Sequence, residues 1–501
     1  MKTNTLDFDA QALRDKILDL AMRGKLVPQD PNDEPASVLL EKIKAEKAEL
    51  VKEKKIKKSK PLPEITDDEK PFDIPDSWEW VRLGEVGNYI QRGRSPKYDK
   101  KNKSHPIISQ KCVQWENIYL KDAKYITKTF FDKLEDYRFV QENDVLWNST
   151  GTGTVGRLNI VKQNLDHIPV DSHVTLIRMN KQVNPDYIYY YLRSPEIQDN
   201  LNDYLTGTTK QKELGLTNIL KVKIPLPPLS EQSRIAAKIA QLFALLRKVE
   251  TSTQQYAKLQ TLLKSKVLDL AMRGKLVKQD PHDEPASVLL EKIKAEKAEI
   301  VKEKKIKKSK PLPPITDEEK PFDIPDSWEW VRLGNIVSYQ NGYAYKSSEL
   351  VKIRKGLPVI KSQNIMTLKV IIKDNNDYVK EPNEKMLNSK IIKGDLLMCL
   401  SSQSKNPEPL GKTAIYDLDK PALLNQRVLK LKLINHSMTD LIYYFINSSW
   451  FHFTVSHRGS GSGQSNLKLG DVMNMPIPVP PLNEEKHIVN RIEILFKKLS
   501  N

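Results

Sequence analysis

The chain has 501 residues, and 81 lysines and arginines against 64 aspartates and glutamates give it a net charge of +17 and a pI near 9.3. This excess favours a polyanionic partner, most simply nucleic acid, although lysine-rich helices on an ordinary soluble protein give the same balance. No apolar run approaches the ~18 residues of a membrane span, no signal peptide is evident, and two cysteines in unrelated contexts exclude a disulfide framework, so we expect a protein of a reducing cytoplasm.

The N-terminal region predicts two helices and a linker. Apolar residues spaced by four and three over residues 5–23 indicate a helix that Gly24 ends. A turn-rich stretch leads to Pro35, after which we expect a charged helix over residues 36–58. The last part of this helix, KEKKIKKSK, either follows a phosphate backbone or forms a solvated helix end. Residues 61–75, rich in proline and acidic residues, predict a linker.

The segment that follows, residues 72–229, predicts a domain of mixed strands and helices. PIISQ, DVLWN, RLNIV and HVTLIRM are strand candidates, and PDYIYYYLRSPEIQDNL is interpreted as one helix. Trp78 and Trp80 alternate with charged neighbours as in a half-buried strand, so we assign them to the core rather than to base stacking. Prolines in IPLPPLSEQ end the domain.

A long helix is predicted from Ser230, as its N-cap, to Met272. Its apolar residues keep a four-three spacing over residues 235–270 once Thr253 and Gln260 fill two positions, which indicates an unbroken coiled-coil seam of about five heptads. Helices at both termini carry the same pattern. The expected seam residues are Leu13, Ile17, Leu20, Ile235, Ile239, Leu242, Leu246, Val249, Leu263, Val267, Leu270, Ile488, Ile492 and Leu495.

The chain contains a circular repeat. Residues 18–84 recur at residues 268–334 with 62 of 67 positions identical, whereas the segments between these blocks diverge. The C-terminal helix copies the first half of the long helix and the N-terminal helix copies its second half, so the termini laid end to end would rebuild it. This repeat predicts that the long helix and the rebuilt helix run antiparallel, with one domain at each end and a pseudo-twofold axis between them. The alternative is that the termini pair with other chains.

These patterns predict an α+β fold in which two globular mixed α/β domains are joined by a pair of long antiparallel coiled-coil helices. A pseudo-twofold frame suits duplex DNA, and two diverged domains on it imply two different half-sites at a fixed spacing. The expected boundaries are residues 1–71 for the N-terminal conserved helix and linker, 72–229 for the first recognition domain, 230–320 for the central conserved helix and linker, 321–481 for the second recognition domain and 482–501 for the C-terminal conserved helix.

Several strings resemble the specificity subunit of Type I restriction–modification enzymes. They include LAMRGKLVPQDPNDEPASVLL, PDSWEWVRLG, NDVLWNSTGTGTVGR and GTTKQKELGLTNILKVKIPLPPLSEQSRI, with GYAYKSS, KSQNI and GSGQSNLKLGDVMNMPIPVPPL in the second half. The resemblance implies two target recognition domains, each reading one half of an asymmetric bipartite DNA site. It also implies a complex with two modification (methyltransferase) subunits and with restriction (translocase and nuclease) subunits. S-adenosylmethionine, ATP and Mg²⁺ are then expected in the partner subunits, with no cofactor in this chain, which is not itself catalytic.

Searches for catalytic motifs agree with a non-catalytic chain. No Asn/Asp-Pro-Pro-Tyr/Phe string exists to hold a flipped adenine, and no G-x-x-x-x-G-K-[ST] phosphate loop exists. GTGTVG at residues 151–156 matches G-x-G-x-x-G, but it leads into a strand candidate instead of a helix, so a turn or a loop approaching DNA is the better interpretation. Asp76 and Glu79 lack the lysine of a nuclease cluster, and His452 and His457 lack metal-site spacing.

Base readers require polar side chains on loops that enter a groove. Such loops occupy corresponding places in the two variable domains yet differ in sequence. In the first domain the candidates are Gln91, Arg92, Arg94, Lys97, Gln110, Lys111, Asn117, Asn148, Ser149, Thr150, Thr208, Thr209, Lys210 and Gln211. In the second they are Gln340, Asn341, Tyr343, Tyr345, Lys346, Lys361, Ser362, Gln363, Asn364, Ser402, Gln403, Lys405, Arg458 and Gln464.

Two functions of different classes remain open on the sequence. A non-catalytic DNA-recognition subunit accounts for the diverged polar loops, whereas a basic coiled-coil adaptor without sequence-specific reading accounts for the charge and helices alone. Trp115 lies among the candidate loops and either packs in a core or stacks on a base. No aromatic signature of RNA recognition is present.

Overall fold

The computed structural model of the chain describes residues 9–56, 58, 60–162, 165, 167–207, 212–366, 369–401, 410–458 and 466–499. The chain divides into two compact units, which we call the first unit, Asp7–Thr253, and the second unit, from Gln254 onward. A single long helix begins in the first unit and ends in the second.

The first unit contains short strands between helices, with the long helix at its end. Its helices are Ala10–Met22 (α1), Ala36–Lys52 (α2), Leu83–Val86 (α3), Lys128–Phe131 (α4), Pro185–Leu192 (α5), Pro195–Gln198 (α6), Leu216–Leu220 (α7) and the first part of the long helix Leu229–Met272 (α8), which continues into the second unit. Its strands are Glu79–Arg82 (β1), Gly87–Arg92 (β2), Pro106–Ile107 (β3), Lys124–Tyr125 (β4), Val145–Asn148 (β5), Leu158–Ile160 (β6), Val174–Met179 (β7), Leu205–Thr206 (β8), Glu213–Leu214 (β9) and Lys223–Leu226 (β10).

The second unit repeats this organisation with more strands. Its further helices are Ala286–Lys302 (α9), Leu333–Ile336 (α10), Glu384–Leu387 (α11), Thr439–Ile446 (α12), Ser449–Arg458 (α13), Leu469–Met473 (α14) and Leu482–Leu499 (α15). Its strands are Glu329–Arg332 (β11), Val337–Asn341 (β12), Leu357–Ile360 (β13), Ile365–Met366 (β14), Lys369–Val370 (β15), Tyr378–Val379 (β16), Lys390–Ile391 (β17), Leu396–Cys399 (β18), Thr413–Ile415 (β19), Ala422–Leu424 (β20), Val428–Leu433 (β21) and Pro476–Val479 (β22).

Short 3₁₀ turns punctuate both units. They are Asp67–Glu69, Leu120–Asp122, Asp136–Arg138, Leu201–Tyr204, Asp317–Glu319, Ser347–Glu349, Ser362–Asn364 and His436–Met438.

The two units share one sheet topology despite their different sequences. An antiparallel sheet in the first unit has the order β2-β7-β5-β6, and the second unit has the corresponding order β12-β21-β18-β19. A two-stranded antiparallel ribbon closes each domain, β1 with β10 and β11 with β22. The second unit adds a sheet of order β16-β13-β20-β17, in which β13 and β20 run parallel. The α+β class expected from the sequence is therefore confirmed.

Both cores are built around the repeated block. Trp78 and Trp328 are each only 3% exposed, as predicted, and Trp78 packs edge-on against Tyr187. Trp80, which we also assigned to the core, is half-buried and packs against Phe72 with ring centroids 5.1 Å apart. The two cysteines, Cys112 and Cys399, are buried and unpaired.

Several predicted boundaries are corrected. The charged helix ends at Lys52, not near residue 58, and the long helix begins at Leu229, so that Ser230 lies inside its first turn. The single helix expected around residues 185–201 is broken after Leu192, because Pro195 offers no backbone N–H and holds Ser194 in an extended conformation (ψ 158°). DVLWN, RLNIV and HVTLIRM form strands as predicted.

The seam was predicted to be unbroken, and in the described residues it closes only toward the two ends of α8. Ile235 and Ile239 are buried, as are Ile488 and Ile492 of α15. Residues 251–259 are all exposed. Expected seam residues toward the middle are also open, with exposures of 43% for Leu13, 45% for Val249 and 49% for Leu263.

Glycine ends α1 and α8 as the sequence predicts. Gly24 has φ +67° and Gly274 has φ +65°, the left-handed conformation that closes a helix C-terminus with little strain only when the residue is glycine. The amide of Lys25 donates to Leu20 O (2.8 Å), and that of Lys275 donates to Leu270 O (2.8 Å). A Cβ at Gly24 would meet Pro75 Cγ at 2.5 Å, so the same residue also permits the linker to pack closely on the helix end.

Candidate nucleic-acid interface

The start of α8 is anchored to the repeated block by a buried carboxylate. Glu231 accepts hydrogen bonds from Trp78 Nε1 (2.9 Å) and from Gln29 Nε2 (2.5 Å). One turn later Arg234 forms an ion pair with Asp33 (2.5 Å). Burial raises the pKa of the Glu231 carboxyl, while the donors from Trp78 and Gln29 act in the opposite direction. The recognition domain, the turn after α1 and the long helix therefore meet at one point.

The second unit builds the same anchor from the second copy of the block. Glu484, at the start of α15, accepts from Trp328 Nε1 (2.9 Å) and from Gln279 Nε2 (2.5 Å). Asn483 Nδ2 donates to Asp283 (3.1 Å), which is the counterpart in the second copy of Asp33, the partner of Arg234 in the first unit. Both units thus fix their domain to a helix through an identical tryptophan–glutamate pair.

Within each unit the two conserved helices run antiparallel, as predicted. In the first unit Arg14 near the start of α1 pairs with Glu250 far along α8 (2.5 Å), whereas Asp33, beyond the end of α1, pairs with Arg234 near the start of α8. The Arg14 guanidinium holds the pKa of the Glu250 carboxyl below its usual value. In the second unit Gln260 Nε2 donates to Leu499 O (2.5 Å) in the last turn of α15. Gln279, which follows the end of α8, contacts Glu484 in the first turn of α15, so α8 and α15 also run in opposite directions.

The candidate readers of the first unit fall into exposed and internally bound groups. Gln91, Lys97, Lys111 and Asn117 are exposed, and Gln110 and Thr150 are half-buried. Arg92 NH2 donates to Leu214 O (2.6 Å) and its NH1 contacts Glu213 (3.3 Å), which ties β2 to β9. Arg94 is exposed beside Glu135 (2.9 Å). The exposed group can contact a ligand without breaking an internal contact.

Two candidates of the first unit are wrong as readers. Asn148 and Ser149 have no exposed surface, because Asn148 ends β5 and Ser149 directly follows it inside the domain. Asn148 Nδ2 donates to Gln110 O (2.9 Å), and the hydroxyls of Ser149 and Thr175 share a hydrogen bond of 2.5 Å. Their polar groups hold the base of the glycine-rich loop. Thr208, Thr209, Lys210 and Gln211 lie outside the described residues.

The second unit presents a comparable set. Asn341, Lys346 and Gln363 are exposed, and the Tyr343 and Tyr345 rings pack edge to face with centroids 4.9 Å apart. The Tyr345 hydroxyl lies 3.1 Å from Ser389 Oγ. A ring pair at the end of a strand offers an apolar face beside polar groups, an arrangement that can contact base edges or sugars.

Other candidates in this unit are bound internally. The Gln340 amide donates to Asn388 O, and Lys361 pairs with Asp377, which also receives Lys352 (2.7 Å). Asn364 is wrong as a reader, because it is fully buried with its amide on Ile371 O (2.8 Å). Ser362 is half-buried, and its oxygen has no hydrogen-bond partner among the described residues. Arg458 ends α13, and Ser402, Gln403, Lys405 and Gln464 lie outside the described residues.

Two arginines that were not among the predicted readers, Arg157 and Arg193, lie beside the glycine-rich loop. Arg157 NH1 donates to Gln114 Oε1 (2.7 Å). Arg193 NH1 donates to Trp115 O (2.8 Å), and its guanidinium lies 5.4 Å from the Trp115 ring centroid. Arg157 follows the GTGTVG string directly, which is the signal that identifies it. The half-buried Trp115 ring packs against the domain core, which is one of the two roles expected from the sequence.

A large groove lies on the first unit between α2, the linker and the sheet. Its volume is about 1860 Å³, and ten cationic side chains line it against five acidic ones. Lys54, Lys58 and Lys60 border one part of it, and Gln91, an exposed candidate reader, borders another. The groove is open to solvent and more positive than negative, so its surface is suited to an anionic ligand.

The described part of the chain holds no group of three or more histidine, cysteine, aspartate or glutamate side chains arranged to bind a metal ion. Its helices include none that is both long and apolar enough to cross a membrane.

Comparison with known proteins finds one family throughout. The family model described as Type I restriction modification DNA specificity domain matches residues 75–260 and 325–501. The chain is 34% identical to the Type I restriction enzyme EcoAI specificity subunit of Escherichia coli over 98% of this chain and 89% of that protein. It is 30% identical to the EcoEI specificity subunit of Escherichia coli over the same shares.

The fold has a counterpart among solved structures. A chain described as "Structural basis underlying complex assembly and conformational transition of the type I R-M system" aligns with a TM-score of 0.54 and 20% identity, covering 86% of this chain and 92% of that one.

Proposed function

The chain belongs to the family of Type I restriction–modification specificity subunits, and from that premise we propose that it selects the DNA sequence on which a Type I complex acts. Each unit carries one DNA-recognition domain. Each domain reads one half of an asymmetric bipartite site, and the conserved helices hold the two halves at a fixed spacing.

The observation that carries the proposal is that the two units have sheets with the same strand order but with different polar residues at the strand ends. The sheets β2-β7-β5-β6 and β12-β21-β18-β19 are equivalent, while exposed Gln91 at the end of β2 leads to Arg94 and Lys97, and exposed Asn341 at the end of β12 leads to Tyr343 and Tyr345. A common frame with different hydrogen-bonding groups at its strand ends is what reading two different sequences requires, because each base pair displays its own donor and acceptor pattern in the major groove.

The chemistry of the complex is assigned to other subunits. Two modification subunits that bind S-adenosylmethionine would dock on the conserved helices and methylate adenine, and restriction subunits that use ATP and Mg²⁺ would translocate and cleave DNA. The repeated block supports this stoichiometry, since 62 identical positions of 67 give each unit the same surface for one copy of a partner. This chain contributes recognition, spacing and docking.

The experiment is a domain exchange with a sequence readout. Residues 72–229 are replaced by the corresponding segment of a relative with another target, and N6-methyladenine is mapped at base resolution in DNA from cells expressing the chain with its modification subunits. We expect a split motif in which one half changes and the other half and the spacer stay. A change in both halves, or in neither, contradicts the two-reader proposal. A stable complex that methylates no defined motif supports a basic adaptor instead.

A further inference from the structure

We propose that the lysines following α2, chiefly Lys54, Lys58 and Lys60, bind the phosphate backbone of duplex DNA flanking the half-site of the first domain, independently of its sequence. Their copies Lys304, Lys308 and Lys310 do the same for the second domain. This inference rests on the proposed DNA-reading function and assigns it a second, non-reading contact surface.

The first observation is where the charge of the chain lies. Residues 41–60 contain nine lysines and four glutamates, a net charge of +5, and residues 291–310 have the same composition. These two segments therefore hold ten of the seventeen net positive charges of the whole protein. Charge concentrated in short stretches, rather than spread over the surface, is typical of a site for a polyanion.

The second observation is a lysine in a backbone conformation that favours glycine. Lys54 has φ +57° and Lys304 has φ +60°. Each follows its helix as Gly24 follows α1, with the amide of Lys54 donating to Val51 O (3.1 Å) and that of Lys55 to Leu50 O (2.9 Å). In the same closing turn, α1 and α8 use glycine and the two lysine-rich helices use lysine. Left-handed backbone at a residue with a Cβ is strained, so the strain at both copies indicates a function for the side chain.

The third observation is that these side chains are free. Lys54, Lys58 and Lys60 are exposed and have no ion-pair partner within the part of the chain that the structure describes. Their neighbours are committed elsewhere, since Lys55 pairs with Glu53 (2.9 Å) and the Lys47 amine binds three backbone carbonyls at the end of α3. A cation without an internal partner loses no internal contact when it binds a phosphate.

The groove connects these lysines to the reading surface. Lys54, Lys58 and Lys60 line the same groove as Gln91 at the end of β2. A duplex read at Gln91 therefore has a cationic surface beside it within one unit. Phosphates are identical in every sequence, which explains why the lysines are identical in both copies while the readers differ.

An acidic protein is the other conceivable partner, and the test separates the two. The full chain, assembled with its modification subunits, is compared with the variant Lys54→Gln/Lys58→Gln/Lys60→Gln. The control is Lys121→Gln/Lys128→Gln/Lys133→Gln, which removes the same charge from exposed positions outside the conserved helices and outside the groove. Binding to cognate and to random duplexes is measured from 50 to 200 mM salt, and assembly is measured by mass.

The loss of three phosphate contacts makes the negative slope of log K against log salt shallower by about 2.7. Between about 50 and 200 mM salt the affinity of the wild type therefore falls by roughly 40-fold more than that of the variant. We expect this change on both duplexes, whereas the specificity ratio and the assembly stay as in wild type and the control variant keeps the wild-type slope. An unchanged slope overturns the proposal. Weakened assembly with intact DNA binding overturns it in favour of an acidic protein partner. A specificity ratio that is already absent in wild type contradicts the proposed function instead.

A single substitution provides an independent check. Lys54→Gly relieves the left-handed strain, so we expect the end of α2 to be better protected against hydrogen exchange while DNA binding and its salt slope decrease. A lysine with only a structural role gives unchanged DNA binding, which overturns the assignment of Lys54.

Discussion

The indole nitrogen of Trp78 donates a 2.9 Å hydrogen bond to the buried carboxylate of Glu231, 153 positions along the chain. One partner belongs to the entry of the recognition domain and the other to the first turn of the long helix. Trp328 and Glu484 form the same bond in the second unit. The pair therefore sets how each domain is attached to its helix.

Trp78→Phe should loosen this attachment. The variant removes the donor and leaves Glu231 with Gln29 as its remaining side-chain partner, so we expect the free energy of unfolding of the first unit to fall by about 1–3 kcal/mol. Hydrogen exchange resolves the units, and loss of protection should concentrate in α1 and the start of α8. Trp328→Phe is the matched control and should affect α15 instead. Equal loss in both units from either variant would contradict a local anchor.

Substitutions along α8 should follow the burial gradient. Ile239 is fully buried, so Ile239→Ala should destabilise the first unit by about 2–5 kcal/mol. Val249 is 45% exposed, and Val249→Ala should stay within about 0.5 kcal/mol of wild type. Thermal unfolding followed by circular dichroism ranks the two. A large effect at Val249 would mean that the helix centre is covered by an element outside the described residues or by a partner.

Exposed and buried candidate readers should give different phenotypes. Gln91→Ala removes an exposed amide at the end of β2, so we expect relaxed base preference in one half-site of the methylation motif with unchanged stability. Asn341→Ala should relax the other half-site. Asn148→Ala removes a buried donor to Gln110 O and should lower stability by about 1–3 kcal/mol without relaxing one base position. Base-resolution methylation mapping and melting temperatures together separate these outcomes.

Glu485 should make the second unit sensitive to pH. Burial raises the pKa of this carboxyl to about 7, with Asp440 adding to the increase and Lys486 opposing it. One of its oxygens, Oε2, is buried without a hydrogen-bond partner in the described structure. The corresponding residue of the first unit is Gln232, whose amide donates to Pro227 O (2.9 Å) and accepts from Asn184 N (2.8 Å).

A raised pKa means that the stability due to this group is fully present below the ordinary value of 4.5 and is lost as pH rises through about 7. The difference between the ordinary pKa and the raised pKa corresponds to a free energy of unfolding of roughly 3 kcal/mol. Glu485→Gln should remove the dependence and stabilise the second unit at pH 8, with little effect at pH 5. Unfolding of α15 by hydrogen exchange at the two pH values is the measurement. Equal stabilisation at both would assign the effect to packing alone.

The architecture was largely predictable from the sequence, because residues 18–84 recur at residues 268–334 and a repeat implies two equivalent units. The repeat placed Trp78 and Trp328 in equivalent cores, and the four-three spacing gave the antiparallel pairing that Arg14 and Glu250 display. The break before Pro195 was missed because the apolar spacing continues across it, although proline lacks the N–H that a continuous helix needs.

The candidate site was predicted less well, and the errors have one cause. Asn148, Ser149 and Asn364 are polar residues at the ends of strands or in turns, where sequence alone favours solvent. The two asparagines complete the hydrogen bonding of a neighbouring backbone segment, Asn364 with Ile371 O and Asn148 with Gln110 O, and Ser149 shares a hydrogen bond with the Thr175 hydroxyl. Such partners are distant in sequence or lie on another loop, so composition and spacing carry no trace of them.

The ribbons that close the recognition domains have a consequence for how new specificities arise. In β1 and β10, Trp80 lies opposite Pro225, and in β11 and β22, Trp330 lies opposite Pro478. Paired strands are about 4.8 Å apart, so the chain enters and leaves each domain at adjacent points. A replacement of everything between them should therefore leave these attachment points where they were. Two crossovers, one in each of the near-identical blocks at residues 18–84 and 268–334, can thus exchange the first domain together with most of α8 while its points of attachment stay the same.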